Sequence, residues 1–131
     1  MNNVASPDHS DPSIERSIQA KGLNAPRVTP AALQAVIDSE HYFTAAQGVS
    51  GAESAGEVSR GLVGTPALGL LTICVLVLRN GFTVLGKSAC ASPENFDADI
   101  GKRIARANAE QEIWPLLGYT LKEKLSKEQA S

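Results

Sequence analysis

"TICVLVLRNGFTVLGKSAC", residues 72–90, sets two β-rich arms on either side of Asn80-Gly81. A type I′ turn needs positive φ at both central residues, which Asn-Gly tolerates, so the pair predicts a hairpin with a two-residue loop. That loop fixes a register with Arg79 opposite Phe82, Val77 opposite Val84 and Val75 opposite Gly86. One face then carries Leu71, Ile73, Val75, Val77, Phe82 and Val84. The other carries Cys74, Leu76 and Leu78 with Leu85. The first arm is thus apolar on both faces, and a lone hairpin needs a covering layer.

The segment that follows supplies one cover. In "ASPENFDADIGKRIARANAEQEIWP" Ser92 reads as an N-cap and Pro93 as the first helical position. Glu94, Asp97 and Asp99 lie near the positive end of the dipole, and Phe96, Ile100, Ile104, Ala107 and Ile113 form an apolar stripe. Pro115 should stop this helix near Ile113 or Trp114, and "GYTLKEKLSKE" should restart as a short charged one. The stripe is expected on the Leu71–Val77 face. Cys74, Leu76, Leu78 and Leu85 are then left either to a short upstream helix or to self-association as a homodimer.

Upstream, Thr29-Pro30 opens that helix, expected over about 30–41 with Leu33, Val36 and Ile37 on one face. Residues 45–69 hold six glycines with little periodicity and read as a flexible loop or insertion. Residues 1–25 are polar with scattered aliphatics and read as a disordered or loosely attached arm. The expected architecture is therefore α+β: an arm over 1–25, then one small domain over 26–131 with a Gly-rich insertion at 45–69. Its elements are an N-terminal helix, an antiparallel hairpin, a long helix packed on it and a short C-terminal helix.

Composition narrows the function classes. Residues 1–69 carry 4 basic and 7 acidic side chains, residues 70–131 carry 8 and 7, and the net charge is −2. No segment has the basic excess that phosphate contacts need, which disfavours nucleic-acid binding. The apolar run Ala67–Leu78 is too short to span a bilayer as a helix, and the N-terminus has no signal-peptide pattern, so a cytoplasmic protein with no membrane partner is expected. In the register above Cys74 and Cys90 point to opposite faces, which argues for two free thiols. His9 and His41 are isolated, so neither a metal site nor a cofactor is expected.

The stretches "RVTP", "SEHYF", "LTICVLVLRNGFTVLGKSACASPENFDADIGKRIARANA" and "IWPLLGYTLKEKL" resemble a family of small tailed-phage proteins known by gene number. Its type members are the gene forty-nine product of an N-four-like phage and the gene sixty-six product of an Sf-six-like phage. The likeness covers about residues 27–125 apart from 45–69. It implies a phage origin and supplies no catalytic residues. Where the family's second strand is usually polar, this chain has Leu85 and Lys87.

The residues themselves offer no nucleophile beside a base, and Asp97 and Asp99 diverge on their helix. The expectation is a non-enzyme that binds, foremost a host protein, as an inhibitor or modulator of a host machine such as a defence system. An oligomeric small-molecule or nucleotide binder using Lys102, Arg103, Arg106 and Asn108 stays open as the alternative, and a weak nucleic-acid binder comes third. Trp114 and Tyr119 are the candidate partner-binding aromatics.

Overall fold

The computed structural model describes residues 12–61 and 66–130. In chain order the elements are α1 (Pro12–Ala20), α2 (Pro30–Ala35), β1 (Ile37–Thr44), α3 (Ala45–Ser54), α4 (Pro66–Gly69), β2 (Leu71–Leu78), β3 (Thr83–Ala89) and α5 (Ala98–Ala130). A single 3₁₀ turn, Pro93–Asn95, precedes α5. The strands form one antiparallel sheet in the order β1-β2-β3, and α5 packs across its β2–β3 half. The fold is α+β, with a long C-terminal helix on the sheet.

The hairpin is present, but its turn is not the two-residue one. Among the described residues only glycines have positive φ; Gly81 is at +89° and Asn80 is not positive, which excludes type I′. Gly81 N–H bonds Leu78 O at 2.8 Å and Leu78 N–H bonds Phe82 O at 2.8 Å, so the loop holds three residues, Arg79 to Gly81. The Asn80 side chain accepts from Phe82 N–H at 2.9 Å and fixes the corner.

One added loop residue slips the register by one and turns β3 over. Val77 pairs with Thr83, Leu76 with Val84, Val75 with Leu85 and Cys74 with Gly86. Thr72, Cys74, Leu76 and Leu78 now share a buried face with Val84, Gly86 and Ser88. Leu71, Ile73, Val75 and Val77 share the opposite face with Thr83, Leu85, Lys87 and Ala89.

This reverses which face α5 covers. Cys74 and Leu76 are fully buried under it and Leu78 nearly so. They are intrachain core, so the expected self-association face is corrected; of its four residues only Leu85, 57% exposed, lies outside. The helix stripe is corrected too. Gly101, Ala105, Ala109, Ile113 and Trp114 are its buried residues, whereas Ile100 is exposed.

The cause is close approach. A Cβ at Gly86 would stand 2.1 Å from Ala105 O and 2.2 Å from Ala109 N, and one at Gly101 2.9 Å from Thr72 Oγ1. The small residues let helix backbone touch strand backbone, and the larger Ile100 stripe could not.

Three elements also differ from expectation. The 30–41 helix ends at Ala35, and Ile37–Thr44 becomes an edge strand because β2 offers it a partner, Tyr42 opposite Cys74 and His41 opposite Val75. Ala45–Ser54, expected as loop, is a helix with a capping box: Thr44 and Gln47 satisfy each other's backbone N–H groups. Pro115 does not end α5, which runs 33 residues, so no separate C-terminal helix exists. Leu116 and Leu117 pack against the core just beyond the proline, and that burial outweighs the hydrogen bond a proline cannot make.

α5 also begins later than Ser92 implied. Asp97 caps it by accepting from Ile100 N–H at 3.1 Å. In the N-terminal segment Pro12–Ala20 is helical with no buried residue; residues 1–11 of the expected arm and 62–65 of the Gly-rich stretch lie outside the described residues.

Both cysteines are free thiols. In the observed register they share a face, with Cys90 opposite Leu70, four residues from Cys74 along the ladder. That is about 13 Å, so distance rather than orientation forbids a bridge.

Candidate functional site

Arg106 sits where α2, β1 and α5 meet. Its guanidinium pairs with Glu40 of β1, donates to Gln34 Oε1 of α2 at 2.9 Å and reaches Glu110 one turn along at 3.4 Å. Tyr42 O–H donates to Glu40 at 3.2 Å. Burial works against the Arg106 charge, but Tyr42 and Glu40 outweigh it and hold the guanidinium above its ordinary range. The bond from Arg106 in turn lowers the Glu40 carboxyl. Burial raises the Tyr42 phenol, and burial likewise raises the Cys74 thiol beneath, so both stay protonated and unreactive at neutral pH.

This arrangement is a cross-brace between elements rather than an open anion grip. Asn108 is engaged as well: its side-chain amide donates to Lys87 O at 2.8 Å, covering a carbonyl on the β3 edge. Lys102 and Arg103 are exposed and line a shallow depression with Tyr42, Asp99 and the braced Arg106, while Asn108 lies outside it. Three of the four polar candidates thus share one shallow depression, but Arg106 is tied to Glu40 and Gln34 and Asn108 to the Lys87 carbonyl.

The two aromatic candidates also part company. Trp114 is buried at the edge of the core and lines a groove of about 660 Å³ under α1, with Ile18, Arg27, Gly118 and Leu121. A two-pronged pair holds α1 there, Arg27 to Glu15 at 2.7 and 2.8 Å, and those bonds bring the Glu15 carboxyl down to about 2.

Tyr119 is 71% exposed on a different groove, of about 430 Å³, where α5 passes the hairpin tip. Val36, Leu78, Leu116 and Leu117 form its floor, and Phe82, 55% exposed, stands on its rim with Tyr119. An apolar floor between two exposed aromatic rings is a ligand-like surface. Phe82 was not singled out in the sequence because the two-residue turn placed it in the core. The three-residue loop moves it past the end of the ladder.

Among the described residues no three His, Cys, Asp or Glu side chains stand close enough to share a metal ion. None of the described helices is long and apolar enough to cross a membrane.

Fold and grooves define a small α+β protein, one sheet braced by one long helix, with apolar clefts in place of an assembled polar pocket. The chain belongs to the phage protein (N4 Gp49/phage Sf6 gene 66) family, whose profile matches residues 28–125. Comparison with curated proteins and with solved structures gives no match.

Proposed function

We propose that this phage protein acts by binding rather than by catalysis, and that it engages a host polypeptide in the host cytoplasm through the groove at the hairpin tip. The observation that carries the reading is the pair of exposed rings, Phe82 and Tyr119, over the apolar floor of Leu78, Leu116 and Leu117. Large aromatics that are solvent-facing in the free protein and flank a pocket are the side chains that dominate protein–protein binding energy. A polypeptide inserting one apolar side chain between them would bury both rings. Arg79 and Asn80 at the rim would supply polar contacts. The physiological effect we infer is modulation of the host machine to which that polypeptide belongs.

The nucleotide-binding alternative loses support at its chosen residues, since Arg106 and Asn108 are already spent on Glu40, Gln34 and the Lys87 carbonyl.

The test is affinity capture from infected-cell lysate with the wild type beside a Phe82→Ser/Tyr119→Ser variant of unchanged circular dichroism. The expected result is a host protein retained by the wild type and lost, at least tenfold, by the variant. Equal capture by both proteins, or a small molecule co-purifying in native mass spectrometry, overturns the reading.

A further inference from the structure

The groove beside Trp114 is already occupied, and by this chain itself. Val28, Trp114, Pro115, Gly118 and Leu121 line it and fall within the residues matched by the family profile, 28–125. Ile18 of α1 and Arg27 line it too, and both precede the match. The seat thus lies in the family domain, and its cover is a segment in front of that domain.

α1 is built as a unit of its own. It ends in a Schellman cap: Gly22 has φ +64°, its N–H bonds Gln19 O at 3.1 Å, and Leu23 N–H bonds Ile18 O at 3.3 Å. Gln19 donates to Glu15 one turn back at 2.9 Å, and Glu15 takes both prongs of Arg27. Residues 21–26, between the cap and Arg27, are all exposed. A nine-residue helix is too short to persist by itself in water, so α1 takes its order from the seat.

The fit is nevertheless loose. Ile14 is exposed, Ile18 is only half-buried, and the groove beneath keeps about 660 Å³. A helix with larger apolar side chains at those two positions would bury more surface in the same place.

We propose that α1 is an autoinhibitory strap, holding in cis a groove that takes a short amphipathic helix from a partner. The strap displays the chemistry the groove recognises. Ile14 and Ile18, at i and i+4, give one apolar face, and the Glu15 carboxylate answers the Arg27 guanidinium. A partner helix with two apolar side chains at that spacing and a carboxylate beside the first takes the seat when α1 swings out on residues 21–26. Arg27 stays behind to meet the carboxylate. Because a tethered occupant acts at an effective concentration of about a millimolar, the strap sets a threshold that weak partners do not pass. The groove shares no lining residue with the one between Phe82 and Tyr119, so either assignment can fail without the other.

Trp114, the single tryptophan, reports on the seat directly in the full chain. Glu15→Arg should open the strap: acrylamide quenching of Trp114 and the fluorescence of an added apolar dye should each rise about twofold or more, with the rest of the circular dichroism spectrum kept. Glu15→Arg with Arg27→Glu restores the pair in reverse and should return both signals towards the wild type. A peptide of residues 12–22, added at about 1 mM to the Glu15→Arg chain, should displace the dye, and a scrambled peptide should not. Wild-type signals in Glu15→Arg overturn the proposal, as does a reversed pair that stays as open as the single variant. A peptide no better than its scrambled control overturns it as well, because the seat then does not recognise the helix supplied from outside.

Discussion

Gly86 and Gly118 separate two meanings of one residue. At Gly86 an added methyl group would overlap the Ala105 carbonyl and the Ala109 amide, both backbone, so neither can swing aside. Gly86→Ala should cost about 3 kcal/mol in a urea titration, at the upper end of overpacking effects, or abolish folding. At Gly118, inside α5, nothing lies within 4 Å of the added Cβ. Gly118→Ala should therefore stabilise by about 0.5–1 kcal/mol through helix propensity. If Gly86→Ala is neutral, the helix does not ride on β3 as described. The signal for this contact was in the sequence, as a glycine inside a strand and a Gly101-Ala105-Ala109 row at helical spacing. Larger side chains one position away formed a more conspicuous stripe, and only the backbone clearance shows which row faces the sheet. A single glycine also decided the turn: positive φ at Gly81 but not at Asn80 is a choice between two hairpin loops that the dipeptide alone leaves open.

Elements held together by local rules were legible, and those held by distant partners were not. The β2 and β3 arms and the core of α5 announce themselves by β-branched runs and by helical spacing. β1 does not, because "IDSEHYFT" is polar along its exposed edge and becomes a strand only by pairing with β2, whose partner residues lie 28 to 41 positions away. Its attachment to α5 rests on the Arg106–Glu40 pair, which gives a pH prediction. The Glu40 carboxyl is lowered in the folded state, so the pair's stability is present above the ordinary value of 4.5 and is lost as pH falls below it. Glu40→Gln should cost under about 1 kcal/mol at pH 7, since the pair is partly solvated, and nothing at a pH low enough to protonate Glu40. Wild type and variant must therefore converge in acid; a constant gap from pH 7 to pH 2 would show that the charge is not what matters. The N-terminal helix is a weaker attachment. With no buried residue, and the Arg27–Glu15 pair tying it to the domain, α1 should be separable: a chain beginning at Ala25 should melt within a few degrees of the full chain in a fluorescence scan of Trp114. A loss of cooperativity there would make α1 part of the core.

At the scale of the whole molecule the sheet has a covered side and an open side, and the two differ in what a charge does to them. α5, at 33 residues, is about 50 Å long against about 26 Å for β2, so it spans the covered face completely and overhangs it. Leu76 on that side has no exposed surface, and a carboxylate there would be buried beside the Glu40 carboxylate, whose guanidinium partner Arg106 is already engaged. Leu76→Glu should cost about 4 kcal/mol or more and leave no cooperative transition in urea. On the open side Leu85→Lys places its ammonium in water and should cost less than about 1 kcal/mol. The hairpin read with a two-residue turn puts Leu76 and Leu85 on the same face and expects both variants to behave alike. The three-residue loop puts them on opposite faces, with opposite outcomes. Two folded variants would restore the two-residue register and with it the assignment of Leu76 to the outer surface, and two unfolded ones would place both residues in the core.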